Sequence, residues 1–219
     1  MNNLPYIKRH FDFSNVAHEF TALFGYLESL NSKLDGFDEL HGPALTTAGI
    51  KNFNQPHTWP ELIEFVDVLH KTSIELFGPI TKDAFIKNIA RSWANRYWKN
   101  SNITEHTHDG CDMVVSAYVS KPANSGNLEL YYNGQWNEVV VETNDIIIFA
   151  GNIPHRTQVS QSDEPRVIVS MNTNHYVQTY LHEMNDIKNP QRATVSANKY
   201  TKLFEQKLQE FVKKLCNFN

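Results

Sequence analysis

The chain has 219 residues, 41% hydrophobic and 20% charged, with a formal net charge of −4. This allows a sizeable buried core and supplies no global basic field, so nucleic acid is disfavoured as a partner. With only Cys111 and Cys216, no opening apolar stretch and no run near the roughly 18 apolar residues of a spanning helix, the expectation is a cytoplasmic protein without disulfides or a membrane partner.

Near the start, "SNVAHEFTALFGYLESL" sets Val16, Phe20, Leu23, Phe24, Leu27 and Leu30 at helical spacing, with Ser14 as candidate N-cap. A turn-rich stretch, "DGFDELHGPALTTAGIKNFNQPH", follows. "TWPE" then predicts a helix with Thr58 as cap, Pro60 in the first turn and Glu61 three residues after the cap. Leu62, Phe65, Val66, Leu69, Ser73, Leu76 and Phe77 line one face, and Gly78-Pro79 ends it. From about residue 88 to 175 the pattern turns to strands: "IARSWANRYW", "MVVSAYVS", "NLELYYN", "WNEVVVE", "DIIIFA" and "RVIVSMN". The Asn-Gly pair in "YYNGQW" predicts a hairpin. Six short strands with no helix between them predict antiparallel sheets in a sandwich or barrel. The tail returns to helix, with Tyr200, Leu203, Phe204, Leu208, Phe211, Val212 and Leu215 in one stripe. Such a stripe packs on its own domain or pairs between copies, so a homodimer stays open. The expected organisation is one domain, 1–219: a helical N-terminal part (1–87), a β core (88–175) and a C-terminal helical extension (176–219).

Three short segments carry chemistry. In "EHTHDGCD", His106 and His108 precede the strand "MVVSAYVS"; on extended backbone, residues two apart point to the same side and reach one metal ion. The alternative is a polar turn. In "DIIIFAGNIPHRT", an apolar strand runs through a Gly-Asn-Ile-Pro turn and delivers His155, a candidate third ligand or a loop histidine capped by backbone. In "EPRVIVSMN", Arg166 opens an apolar strand and needs an anionic partner, either an internal carboxylate or that of a small diacid. Ser116 and Tyr118 share one face of "MVVSAYVS", so Tyr118 either bonds a ligand or is satisfied by backbone. Trp93 and Asn95 alternate on the strand before and are candidates for the substrate mouth.

Together, H-x-H, a later histidine and an arginine eleven residues on resemble the iron(II)/2-oxoglutarate oxygenases. The text from "WANRYWKNSNITEHTHDGCDMVVSAYVSKPANSGNLEL" to "DIIIFAGNIPHRTQVSQSDEPRVIVSMN" is similar to a bacterial and phage branch of that superfamily. The resemblance covers about residues 88–175, extends faintly to "GIKNFNQPHTWPEL" and stops before the C-terminal helix. It implies a fold that is mainly β with flanking helices: a double-stranded β-helix, a jelly-roll or cupin-like barrel, buttressed at both ends of the chain. It implies Fe(II) held by His106, His155 and His108, the last standing where a carboxylate is usual, and Arg166 clamping the distal carboxylate of 2-oxoglutarate with Tyr118 beside it. It also implies dioxygen as co-reactant, and hydroxylation of an unidentified small molecule or macromolecular side chain with release of succinate and CO2. Asp109 and Asp112 are alternative third ligands. A small hydroxyl residue usual two after the arginine is replaced by Ile168, with Ser170 next on that side. A cupin-type metal enzyme (an isomerase or another dioxygenase) and a non-catalytic ligand-binding barrel are the competing readings. Arg166 discriminates, since a cupin would leave it in an internal ion pair.

Overall fold

The structure is a computed structural model that describes residues 5–29, 44–48, 55–108, 111–174, 206, 209–214 and 216–217. Among them stand nine strands: β1 (Tyr6–His10), β2 (Ala44–Thr46), β3 (Ile89–Tyr97), β4 (Met113–Ser120), β5 (Leu128–Tyr132), β6 (Gln135–Val139), β7 (Asp145–Ala150), β8 (His155–Thr157) and β9 (Arg166–Thr173). The helices are α1 (Ala17–Ser29), α2 (Ile63–Phe77) and α3 (Lys82–Asn88). The strands form a six-stranded sheet in the order β1-β7-β4-β9-β3-β2 and a three-stranded sheet in the order β6-β5-β8. Every pairing is antiparallel.

All six predicted strands are present, and β5 and β6 meet at Asn133 (φ 53°) and Gly134 (φ 77°), the left-handed pair a tight hairpin requires. Three further strands were not predicted. β2 and β8 are only three residues long, and β1 "YIKRH" is an edge strand with alternating exposure, so none carries an apolar run. β7 is buried at all six positions because both faces of the large sheet are covered, hence its uninterrupted "IIIFA".

The register sorts the large sheet into two faces. Directly paired residues share a face, so Val114, Ser116 and Tyr118 of β4 align with Asn172, Ser170 and Ile168 of β9. These align in turn with Arg91, Trp93 and Asn95 of β3. Tyr97 pairs with Arg166 on the same side. This inner face looks toward the small sheet: Arg166 bonds Thr157 of β8, and Phe149 of β7 meets the His155 ring at 4.8 Å. The opposite face, Val115, Ala117, Val169 and Met171, is fully buried. Ser92, on that side, holds His57 beside the start of α2, which places the helical layer there.

The predicted faces of α1 and α2 are buried: Val16, Phe20, Leu23, Phe24 and Leu27 in one, Leu62, Phe65, Val66, Leu69, Ser73 and Leu76 in the other. Leu30 lies outside the described residues. Their starts differ from expectation. Ser14 is no cap, because α1 begins only at Ala17, after Phe13 O has accepted the N–H groups of Val16 and Ala17, while Asp12 Oδ1 accepts the Ser14 N–H (2.9 Å). Thr58 turns its hydroxyl back to Gln55 O (2.8 Å), and two 3-10 turns, each opened by a proline (Pro56, Pro60), precede α2. At the other end, the Phe211 ring lies 5.1 Å from Phe77, Lys214 Nζ donates to Leu76 O and Tyr132 Oη meets Cys216 Sγ at 3.1 Å. Phe211 of the C-terminal stripe thus packs on the body of the chain; Tyr200, Leu203, Phe204, Leu208 and Leu215 lie outside the described residues.

Candidate metal centre and its diacid clamp

His106, His108 and His155 converge. One nitrogen from each lies within 4.8 Å of the others, and ring centroids are 4.2 Å apart for His106–His155 and 5.0 Å for the pairs with His108. Backbone holds them there. His106 and His155 exchange both N–H···O bonds (3.1 and 3.0 Å) in an isolated antiparallel bridge, and His108 N–H donates to Gly151 O (2.9 Å). Gly151 is a glycine because a Cβ there would run into the carbonyls of Cys111 and His108.

Each ring is also oriented by its Nδ1. That of His106 faces Thr104 O (2.9 Å), that of His155 faces Ile153 O (3.0 Å) and that of His108 faces Asn172 Nδ2 (3.0 Å). A carbonyl can only accept, so His106 and His155 carry their proton on Nδ1 and keep the Nε2 lone pair. Burial lowers the His155 pKa to about 3, and His106 and then His108 beside it push the same way. A neutral imidazole is the form that ligates. Asp112 is buried but does not belong to this convergence, and Asp109 lies outside the described residues.

Arg166 is fully buried, its guanidinium 5.0 Å from the Tyr97 ring centre. Nη1 donates to Ser125 O and Gly126 O, and Nη2 donates to Thr157 Oγ1 (3.2 Å). Gly126 has φ +78°, and an added Cβ would strike Gln158 O, so only glycine presents that carbonyl. Among the described residues Nε has no hydrogen-bond partner. Nε–H and one Nη2–H thus remain among the described residues; Nε and Nη2 share one edge of the fork, the edge that can grip a carboxylate bidentately. Among the described residues Arg166 forms no ion pair. The Tyr118 hydroxyl is buried on the same inner face beside Ser116; burial raises its pKa, and the Arg166 charge and then the Ser116 hydroxyl pull it partly back. Thr157 stands two residues beyond His155 on the inward side of β8, about 7 Å along the strand. A five-carbon dicarboxylate spans such a gap.

The substrate-mouth candidates separate. Trp93 stands beside the cluster, 6.0 Å from the His108 ring, whereas Asn95 is buried in the deeper row with Tyr118 and Ile168, its Oδ1 without a partner among the described residues. Ile168 and Ser170 do face the interior, as the strand period requires. Tyr97, Thr157 and Asn172 were not singled out in the sequence. Stepping by two from Trp93 reaches Tyr97, and stepping by two from Arg166 reaches Asn172, so the signal for those was period alone. Thr157 carried none.

Neither a scan with protein-family models nor a search of curated protein sequences finds a match. Solved structures do resemble the chain. A prolyl-4-hydroxylase from Pseudomonas putida aligns over 77% of this chain and 91% of its own at 9% identity, TM-score 0.50. A prolyl hydroxylase from Trichoplax adhaerens, solved with a hypoxia inducible factor peptide fragment, aligns over 81% and 87% at 12% identity, TM-score 0.52. HygX from Streptomyces hygroscopicus, with nickel and 2-oxoglutarate bound, aligns over 78% and 83% at 13% identity, TM-score 0.52. This chain has the double-stranded β-helix fold of those proteins, with helices packed on one side.

Proposed function

We propose that the chain is an iron(II)- and 2-oxoglutarate-dependent oxygenase that hydroxylates a C–H bond of its substrate. The observation that carries this reading is the buried Arg166, with one guanidinium edge open, on the inner face that also meets three converging imidazoles. A cupin reading needs an internal carboxylate for Arg166, and none of the described residues provides one. Bound iron and 2-oxoglutarate supply the activation of dioxygen, one oxygen atom ending in succinate, the other on the substrate, with CO2 released. His106, His108 and His155 would hold the metal through their converging ring nitrogens. Arg166 takes the distal carboxylate and Tyr118 donates a hydrogen bond beside it. The apolar wall at Phe149 and Ile168 keeps water from the reacting end. Trp93 lies where a substrate enters. The chain acts as one domain, in the cytoplasm, on a small molecule or a macromolecular side chain.

The test is anaerobic. Iron(II), then 2-oxoglutarate, is added to metal-free protein, and the visible metal-to-ligand charge-transfer band is recorded. Wild type should develop the band and His106→Ala should not. Arg166→Lys keeps the charge but loses the planar fork, so 2-oxoglutarate affinity should fall about 10–100-fold with metal affinity unchanged. Bound metal without a band in wild type would return the chain to the cupin reading.

A further inference from the structure

Three imidazoles can serve one ion only if each turns a lone pair toward it. For His106 and His155 this is settled by the backbone carbonyls on their Nδ1 atoms. His108 is different, because its Nδ1 faces the side-chain amide nitrogen of Asn172 at 3.0 Å. With a donor there, the lone pair of Nδ1 is engaged and the ring's proton belongs on Nε2, and such a ring has no lone pair for a metal. At the same time Asn172 Oδ1 is buried with no hydrogen-bond partner among the described residues.

One rotation resolves both. The two ends of a carboxamide are nearly isosteric, so half a turn about the side chain's last bond puts Oδ1 where Nδ2 stands. The orphaned oxygen then accepts a proton from His108 Nδ1, and Nε2 of His108 regains its lone pair. We propose that Asn172 is a positioning residue for the metal centre: its side-chain carbonyl fixes the tautomer of His108 and so admits a third imidazole as ligand. Asn172 sits on β9 and faces the site because it lies in register with Val114 and Arg91. An amide is an apt choice, since it carries no charge into the interior and presents a donor or an acceptor by rotation alone. The inference rests on the metal site of the proposed function, not on 2-oxoglutarate.

The experiment is a Co(II) competition titration of wild type, Asn172→Leu and Asn172→Asp, with 15N NMR of the histidine rings in the Zn(II)-loaded wild type. Leucine keeps the volume and removes the acceptor, so Co(II) affinity should drop about 10–100-fold while the metal-free protein stays folded. Aspartate can only accept and should bind Co(II) at least as tightly as wild type, a rescue that packing alone would not produce. The NMR spectrum should show His108 protonated on Nδ1. Unchanged affinity in the leucine variant, an aspartate variant as weak as leucine, or a proton on Nε2 would each overturn the proposal. If the leucine variant does not fold, the aspartate variant and the NMR spectrum decide. Wild type that binds neither metal removes the proposed function as well, whereas tight wild-type binding that ignores residue 172 removes this inference alone.

Discussion

Gly151→Ala adds one methyl group at the tightest point of the site. The new Cβ would overlap the Cys111 carbonyl oxygen and stand 2.9 Å from the His108 oxygen and 3.0 Å from the Cys111 carbonyl carbon. Restoring an ordinary carbon–oxygen separation of about 3.3 Å moves the chain by about 1 Å at Cys111 and about 0.4 Å at His108. The contacts that must give are backbone on both sides, tied by His108 N–H to Gly151 O (2.9 Å) and Gly151 N–H to Asp112 O (3.3 Å), so no side chain can swing away. Metal sites tolerate about 0.5 Å of misplacement, and the shift at Cys111 exceeds it just beyond a ligand. Co(II) affinity should therefore fall at least about tenfold. Overpacking should cost about 2 kcal/mol, a Tm lower by about 4–8 °C in a chain of this size. Calorimetry and competition titration read the two effects separately. Gly25→Ala is the control, because a Cβ at that position in α1 meets nothing within 4 Å and should leave Tm level or raise it. If Gly151→Ala matched wild type in both measurements, Gly151 would not lock the β7 turn against His108 and Cys111.

Acid should destabilise the metal-free protein through His155. Its pKa is depressed to about 3 in the folded state against about 6.5 unfolded, so only the unfolded chain takes up the proton between those values. Stability is thus level in this group above about pH 6.5 and falls by up to about 1.4 kcal/mol per unit from there toward pH 3. Denaturant titrations of wild type and His155→Gln across that range should diverge at the low end, and parallel curves would count against the depressed pKa. Phe211→Ala should cost about 3 kcal/mol, because the ring is buried and packed against Phe77 at 5.1 Å. A melt unchanged by that substitution would mean that the C-terminal helical residues add nothing to the body of the chain.

The strands were legible where their residues repeat with period two over five or more positions, as in "MVVSAYVS" and "RVIVSMN". The same period placed Ser116 and Tyr118 on one side and Val115 and Ala117 on the other, as the register bears out. The helix starts were misread for a local reason. Ser14 and Thr58 are good capping residues, but turns intervene: α1 starts at Ala17 after the Phe13 turn, and Thr58 bonds Gln55 O in a 3-10 turn ahead of α2. α3 is only seven residues long, capped by Thr81 Oγ1 accepting from Ala84 N–H (3.3 Å), and its apolar residues Ala84, Phe85 and Ile86 are consecutive, so they make no periodic stripe.

The site divides along the same line. The residue types of "EHTHDGCD", "NIPHRT" and "EPRVIVSMN" named His106, His108, His155 and Arg166, because imidazoles and a guanidinium in apolar strands demand partners whatever the fold. Which nitrogens face one another depended on pairing across the barrel. β8 exists only because β5 is there to bond it, and that pairing places His155 opposite Leu130 and Thr157 under Arg166. The open edge of Arg166 depends on the carbonyls of Ser125 and Gly126 taking the other donors, forty residues away in the chain. Side-chain chemistry is local and can be read along the sequence; hydrogen-bond satisfaction is decided by neighbours that only the folded chain brings together.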